Sequence, residues 1–246
     1  MTYQPFYVHG AERASRWLIT CDHASNLVPT DINSGDLGLD PKDMQRHIAY
    51  DIGAAPVSLR LGELLDAPVI LSNFSRLVVD PNRGEDDPTL MMRLYDGTII
   101  PANRHIDATE AERRLNMYYR PYHNALSELA ARREDTVIVA MHSFSPKLNG
   151  RSPRPWEIGI LHAHDTDFGP ATIRHLEAEG DLTVGDNEPY AGHLPGDSVD
   201  RHALKKGRPN VLIELRHDEI DNEAGQMHWA ERLAPILTAA LAETGL

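Results

Sequence analysis

The fold of this chain is decided by the stretch Val137-Ile138-Val139-Ala140-Met141-His142-Ser143-Phe144-Ser145-Pro146. Five apolar residues, three of them β-branched, run directly into a histidine, two serines and a proline. A continuous apolar run of this length predicts a strand that is buried on both faces, and such strands belong to parallel sheets. Since the proline ends the strand, His142 is expected at the carboxyl end of a central strand, where open α/β sheets bind their ligands. Taken alone, His142 is better interpreted as a histidine that caps the strand and hydrogen-bonds a loop, and a functional role has to be supported by the rest of the chain.

The bulk properties of the chain predict a soluble, ordinary domain. Its 246 residues fit one large domain, which we expect to span residues 1–246. The net charge of −13 argues against nucleic-acid and anionic-membrane partners, but not against a small anionic substrate that meets a local cluster of arginines. With Cys21 as its one cysteine, no apolar signal core and no membrane-spanning run, the chain is expected to be cytoplasmic. Nothing in the sequence indicates an oligomeric state.

Apolar runs alternate with helical patterns along the chain. This alternation predicts an α/β fold with three α/β/α layers and a mostly parallel, mixed central sheet. Besides the strand before His142, the patterns predict strands over residues 17–21, 68–71, 77–80, 157–161 and 210–216. They predict helices that begin after Asp40 and over residues 53–65, 107–133, 170–179 and 223–243.

Four polar clusters stand at the ends of predicted strands. The carboxyl ends of parallel strands meet at one edge of a sheet, so these clusters are expected to lie close together. Together they supply two imidazoles, a carboxylate inside a strand and an arginine on a loop. The clusters are Asp22-His23-Ala24-Ser25-Asn26, Asp80-Pro81-Asn82-Arg83, His142-Ser143-Phe144-Ser145 and Glu214-Leu215-Arg216.

Glu214 is the most unusual residue of these clusters, because it interrupts an apolar strand. A charged glutamate in such a position is costly unless it is paired or functional. A salt bridge with Arg216 is the alternative, but side chains two apart on a strand share a face only as diagonal neighbours. A functional role for Glu214 is therefore favoured.

The order of the clusters resembles the zinc carboxypeptidases of the carboxypeptidase A type. That family carries, in sequence, His-x-x-Glu, Asp-x-Asn-Arg, His-Ser-Tyr-Ser and Glu-Leu-Arg-Asp. A closer resemblance, over nearly the whole chain, is to the N-formylglutamate amidohydrolase family, which is related in fold to the carboxypeptidases. Both resemblances imply a zinc-carboxypeptidase-like (phosphorylase/hydrolase-like) fold with one active site. The closer one is carried by residues 21–26, 72–83, 185–190, 201–202 and 213–216.

The resemblance implies a Zn²⁺ ion held by His23, His142 and one oxygen ligand. Asn26 stands where the carboxypeptidase pattern has its glutamate ligand, and a neutral amide is a poorer zinc ligand than a carboxylate. Asn26, Asp22 or a water molecule therefore remain candidates for the third position. A second group, His162 with His164 and Asp165, is a weaker candidate for a metal site.

The resemblance also implies roles for the remaining residues. Glu214 is expected to act as the general base toward a metal-activated water. Arg83, assisted by Asn82, is expected to grip a substrate carboxylate. Tyr190 is a candidate lid residue or packs under its own loop. The other candidates for substrate contacts are Arg76, Arg201, Arg216 and His202.

These residues favour the hydrolysis of a small N-acyl amino acid, N-formylglutamate-like, by a zinc-dependent amidohydrolase. A carboxypeptidase-like peptidase and an amidohydrolase for another acyl amino acid are the alternatives among enzymes. A binding protein that lacks the metal is the alternative from another class. His47 and Asp51, one turn apart on a predicted helix, are interpreted as a pair on the helix surface.

Overall fold

A seven-stranded mixed sheet forms the middle layer of the computed structural model, which describes residues 3–163 and 167–246. The predicted central strand is present, and each of its eight residues is buried. The strands of this sheet are β1 (Phe6–His9), β2 (Trp17–Cys21), β3 (Val69–Ser72), β6 (Val137–Phe144), β7 (Ile158–Leu161), β8 (Val184–Asp186) and β9 (Asn210–Arg216), and a separate hairpin pairs β4 (Leu94–Tyr95) with β5 (Thr98–Ile99). In the strand order β1-β3-β2-β6-β9-β7-β8 the predicted central strand, β6, occupies the middle position.

The sheet is mostly parallel, as the sequence predicts. β2 runs parallel to both β3 and β6, β6 runs parallel to β9, and β7 runs parallel to β8. β1 is antiparallel to β3, and β7 is antiparallel to β9. The carboxyl ends of β2, β6 and β9 therefore lie side by side at one edge of the sheet.

Helices cover both faces of the sheet, which gives the three predicted layers. The helices are α1 (Ala54–Leu64), α2 (Ala108–Arg114), α3 (Arg120–Ala130), α4 (Phe168–Glu177), α5 (Ser198–His202) and α6 (Glu223–Thr244). Alternate residues of β6 enter separate cores: Val139 and Met141 pack with α1, α4 and α6, whereas Ile138 and Ala140 pack with α3 and α5. A strand that is buried on both faces needs this continuous apolar run.

Two of the predicted elements are wrong. Residues 77–80 are buried as expected, but their backbone forms turns rather than a strand: Val78 N–H donates to Ser75 O at 2.8 Å, and Asp80 N–H donates to Leu90 O at 2.8 Å. The helix expected after Asp40 shortens to a 3-10 turn over Asp43–Gln45. Burial rather than secondary structure explains the apolar residues in both segments.

The long helix predicted over residues 107–133 is present but interrupted. Asp107 is its N-cap, and the Asp107 side chain accepts a hydrogen bond from Glu110 N–H. A π-helical turn over Leu115–Tyr119 then joins α2 to α3, just before Pro121. Among the residues that the structure describes, no helix is both long and apolar enough to cross a membrane.

Candidate active site

A cavity of about 270 Å³ opens at the carboxyl ends of β6 and β9. It brings together residues from all four polar clusters with others from the loops that follow β2, β3 and β8. Its lining is polar at the sheet and partly aromatic toward the rim. The residues that carry chemistry in this lining are His23, Asp51, Arg76, Asn82, Arg83, His142, Tyr190, Asp197 and Glu214.

Two imidazoles and one carboxylate converge at the floor of the cavity. Asp51 Oδ2 lies 2.8 Å from His142 Nδ1 and 3.3 Å from His23 Nδ1. All three residues are buried, and their candidate ligand atoms lie within 4.8 Å of one another. Two nitrogen donors and one carboxylate oxygen at this spacing are suited to a divalent metal ion such as zinc.

The outer nitrogens of both imidazoles face further carboxylates. His23 Nε2 lies 2.7 Å from Asp80 Oδ1, and His142 Nε2 lies 3.5 Å from Asp22 Oδ2. Asp22 is in turn held in place, because its Oδ1 accepts a hydrogen bond from Tyr122 O–H at 2.5 Å. A carboxylate behind a histidine fixes which ring nitrogen carries the proton and orients the ring.

The direction of the ring nitrogens indicates whether the cluster of His23, Asp51 and His142 is suited to a bound cation. If the Nε2 atoms carry the protons toward Asp80 and Asp22, both Nδ1 lone pairs point at the Asp51 carboxylate. Three electron-rich atoms then face one another in a buried place, which is unfavourable without a positive charge between them. In the absence of a metal, His142 must supply that charge, and its pKa is raised well above the usual value: burial lowers it, but Asp22 and Asp51 outweigh burial. The site therefore fits a bound cation.

The carboxylates around the imidazoles are kept ionised. Burial raises the pKa of Asp51, but the neighbouring His23 and His142 outweigh burial and hold this pKa below its usual value. Asp80 behaves similarly: the Arg76 guanidinium and His23 lower its pKa against the effect of burial. An ionised Asp51 is the form that binds a metal ion.

Glu214 lies directly beside the metal-ligand cluster. In the parallel pairing of β6 with β9 it is the register partner of His142, so the two backbones are about 5 Å apart. Its Oε2 atom is buried without a hydrogen-bond partner among the described residues. Burial raises the pKa of Glu214 to about 7, which suits a carboxylate that takes up and releases a proton near neutral pH. The arrangement supplies a base next to the cluster.

Two arginines line the cavity in different ways. Arg76 is buried and committed to the cluster, since Nη2 donates to Asp80 Oδ2 at 2.8 Å and Nη1 lies 3.4 Å from Asp51 Oδ1. Arg83 donates to Thr89 Oγ1 and to the Asn82 carbonyl oxygen, and it forms no ion pair within the described part of the chain. A guanidinium that lacks a protein carboxylate is available for the carboxylate of a ligand.

The remaining candidates lie elsewhere. Asn26 Nδ2 donates to the Met44 carbonyl oxygen at 2.8 Å, and Asn26 is not among the residues that line the cavity. Arg216 is not among the residues that line the cavity, and it binds Asp218, Glu219 and Glu157.

Two further candidates for substrate contacts lie next to each other in α5. His202 is buried against His123, with His202 Nε2 2.9 Å from His123 Nδ1. Arg201 pairs with Glu85 at 3.8 Å.

Tyr190 lies at the rim of the cavity. It lines the cavity, and its hydroxyl is 3.3 Å from Arg154 Nη1. Of the weaker candidate metal site, His162 binds Asp186 Oδ1 at 2.8 Å, whereas His164 and Asp165 lie outside the described residues.

Sequence reasoning missed Asp51 as a site residue. The expected helix would have placed it on the surface, but turns carry residues 46–51 into the sheet edge, where Asp51 N–H donates to His23 O at 2.9 Å. Gly53, with φ of +79°, then turns the chain into α1, and a Cβ at this position would lie 2.1 Å from Ile220 O. The sequence Asp51-Ile52-Gly53 ahead of an amphipathic helix was the available signal, because an Asp followed closely by Gly is typical of a turn.

The chain is similar to one protein family in sequence and to solved structures in fold. The family model for N-formylglutamate amidohydrolase matches residues 15–220. The crystal structure of gene product Atu2144 from Agrobacterium tumefaciens is 34% identical, with 100% of this chain and 98% of that chain covered and a TM-score of 0.93. The N-formylglutamate amidohydrolase from Ralstonia eutropha JMP134 is 20% identical, with 98% of both chains covered and a TM-score of 0.75, which shows a shared fold. No curated protein matches the chain in sequence.

Proposed function

Because the chain belongs to the N-formylglutamate amidohydrolase family, we propose that it hydrolyses the amide bond of an N-formyl amino acid and releases formate. One observation carries the proposal. The cavity combines the cluster of His23, Asp51 and His142 with Glu214, whose Oε2 atom has no hydrogen-bond partner among the described residues, and with Arg83, whose guanidinium has no ion pair among them. These are the groups that amide hydrolysis next to a free carboxylate requires.

In this proposal His23, Asp51 and His142 hold a Zn²⁺ ion. Three protein ligands of the N and O type leave a coordination position open, as catalytic zinc sites require. When bound, the metal would lower the pKa of a water molecule and polarise the amide carbonyl. Asp51 takes the ligand position for which Asn26 and Asp22 were candidates, and Asp22 instead orients His142 from behind.

Glu214 serves as the general base and acid. Its carboxylate accepts a proton from the attacking water and then delivers that proton to the nitrogen of the leaving amino acid. The pKa of about 7, caused by burial, leaves Glu214 able to do both near neutral pH. Its position beside His142 in the sheet gives it a fixed backbone from which to reach the reacting atoms.

Arg83 holds the α-carboxylate of the substrate, with Asn82 beside it. The Asn82 backbone N–H donates to Asp80 Oδ1 at 2.9 Å, and the Asn82 side-chain oxygen accepts from Ser198 N–H at 3.3 Å. These two contacts tie the loop that carries Arg83 both to the metal-ligand cluster and to α5. The carboxylate is thereby bound at a fixed place relative to Glu214, which is what positions the amide bond for attack.

The size of the cavity favours a small substrate over a peptide. Its volume of about 270 Å³ is below the range of roughly 300–1,000 Å³ that drug-sized ligands occupy. A formyl group is the smallest acyl group, so an N-formyl amino acid makes the least demand on this space. The same consideration argues against the carboxypeptidase-like alternative.

A substrate panel tests the proposed function. Purified protein supplied with zinc is incubated with N-formyl-L-glutamate, N-acetyl-L-glutamate and a glutamate-containing dipeptide, and released amino acid and formate are measured. We expect turnover of the formyl compound at least about tenfold faster than of the other two, which corresponds to about 1.4 kcal/mol in the barrier. Equal or faster cleavage of the dipeptide would instead indicate a peptidase, and binding without turnover of any compound would indicate a binding protein.

A further inference from the structure

Two guanidinium groups at the cavity carry no ion pair in the described part of the chain. Three further arginines were candidates for substrate contacts, and each is paired with a protein carboxylate: Arg76, Arg201 and Arg216. Arg83 is unpaired and lines the cavity. The other unpaired guanidinium is that of Arg154, which sequence reasoning did not single out.

Arg154 is held against the wall of the cavity by aromatic rings. Its guanidinium carbon lies 5.6 Å from the centre of the Phe144 ring and 5.1 Å from the centre of the Tyr190 ring. Its Nη1 donates to Ser145 O at 3.1 Å and lies 3.3 Å from the Tyr190 hydroxyl oxygen. Phe144, Ser145 and Tyr190 all line the cavity, so Arg154 lies directly behind its rim.

The contacts of Arg154 leave part of its hydrogen-bonding capacity unused. Both of its hydrogen bonds come from Nη1, while Nε and Nη2 have no acceptor within residues 3–163 and 167–246. A planar guanidinium presents Nε and Nη2 as a pair that matches the two oxygens of a carboxylate. Cation–π contacts with the rings of Phe144 and Tyr190 restrict the movement of the group, so less freedom is lost when it binds a carboxylate.

The surroundings require a second positive group if the substrate has an acidic side chain. The chain carries a net charge of −13, and the cavity itself contains the carboxylates of Asp51, Asp197 and Glu214. A dicarboxylate would be repelled unless each of its carboxylates met a cation. Arg83 lies on the loop after β3 and Arg154 on the loop after β6, so the two guanidinium groups belong to different walls.

We propose that Arg154 is the specificity-determining residue that selects substrates with an acidic side chain, by binding the side-chain carboxylate while Arg83 binds the α-carboxylate. This inference rests on the proposed function and narrows its substrate to N-formyl derivatives of acidic amino acids. In this proposal the contacts of Arg154 with Phe144 and Tyr190 position the guanidinium for substrate recognition.

The test compares a charged substrate with its neutral isostere. For the wild-type protein and Arg154→Gln, kcat/KM is measured with N-formyl-L-glutamate and with N-formyl-L-glutamine. We expect Arg154→Gln to lose about 10- to 100-fold with the glutamate compound, as for a charge-assisted hydrogen bond, and less than about threefold with the glutamine compound. Arg151→Gln, an exposed arginine of the same loop, is the matched control and should change neither value.

The outcomes separate the two proposals. An equal loss with both compounds, or no loss with either, overturns the role of Arg154 while formate release by the wild-type protein upholds the proposed function. If the wild-type protein cleaves neither compound, the proposed function fails and the role of Arg154 fails with it. Should Arg154→Gln not fold, Arg154→Lys provides the comparison: it keeps the charge but loses the planar fork, and the glutamate-to-glutamine preference should fall while remaining above one. An unchanged preference in Arg154→Lys overturns the proposal.

Discussion

At the scale of single residues, the site is organised around Asp51. Its Oδ2 atom faces the Nδ1 atoms of His23 and His142 and also lies 3.3 Å from Ser143 N. One carboxylate oxygen thus connects β6 to the segment after β2. Hydrophobic periodicity predicts the histidines at strand ends but not the residue that joins them, because the place of Asp51 depends on a turn for which the only sequence signal is the Asp51-Ile52-Gly53 motif.

His142 is expected to be required for metal binding. His142→Ala removes one of the three proposed ligands, so the purified variant should retain well below half of the metal that the wild-type protein carries after dialysis, as measured by elemental analysis. His105→Ala, at an exposed position, is the matched control and should retain all of it. A folded His142→Ala protein with its full metal content would contradict the assigned ligand set.

Glu214 is expected to be required for turnover but not for metal binding. Glu214→Gln keeps the shape of the side chain and removes its basicity, so kcat should fall about 10²- to 10⁴-fold, the range for loss of a general base. Metal content should be unchanged. Glu134→Gln, which alters an exposed glutamate, should leave both quantities as they are in the wild-type protein. Retention of kcat in Glu214→Gln would show that another group moves the proton.

At the scale of secondary structure, β6 and β9 place the chemistry. Their pairing sets His142 opposite Glu214, and both strands are predictable because their apolar runs are long and β-branched. Segments without such runs were predicted less well. Residues 77–79 are apolar because they pack into the core, and the sequence pattern of a buried turn resembles that of a short strand.

The turn at Gly53, two residues after Asp51, is expected to lose stability when a side chain is added. Gly53→Ala combines a strained φ of +79° with a Cβ 2.1 Å from Ile220 O, whereas Gly180→Ala has a φ of +77° with open space around it. We expect Gly180→Ala to cost about 1 kcal/mol of the free energy of unfolding and Gly53→Ala about 3 kcal/mol. Denaturant unfolding measures both values. Equal losses would mean that the backbone at Ile220 relaxes and that the turn tolerates a side chain.

At the scale of the whole molecule, the three-layer fold and its polar edge follow from the sequence, whereas the distribution of charge pairs does not. Strand and helix patterns are local, so they predict which residues reach the carboxyl edge of the sheet. Ion pairs depend on packing between distant segments. The sequence therefore could not separate the paired Arg216 from the unpaired Arg154, nor show that His202 is buried against His123.

This buried histidine pair is expected to make the protein less stable in acid. Burial lowers the pKa of His123 to about 3 and that of His202 to about 4, so both are neutral in the folded state. The unfolded chain, with histidine pKa values near about 6.5, binds protons that the folded protein does not bind once the pH falls below that value. The stability that depends on neutral histidines is therefore complete above pH of about 6.5 and is lost as the pH falls toward about 4.

The measurement is the free energy of unfolding between pH of about 7.5 and 4.5, which should decline by up to about 1.4 kcal/mol per pH unit for each of the two histidines. His123→Gln should be less stable at neutral pH but should show a shallower decline. His105→Gln alters an exposed histidine and should leave the slope unchanged. A slope that is the same in His123→Gln and in the wild-type protein would contradict the assignment of the acid sensitivity to this pair.

The central claim is that a metal ion at His23, Asp51 and His142 makes this chain an amidohydrolase. The most direct measurement follows formate release from N-formyl-L-glutamate while bound metal is removed with a chelator and then restored by titration with zinc. We expect turnover to be proportional to bound metal, to saturate at about one ion per chain, as a site with a single set of three ligands requires, and to return on reconstitution. Undiminished formate release from protein that carries no metal would contradict it.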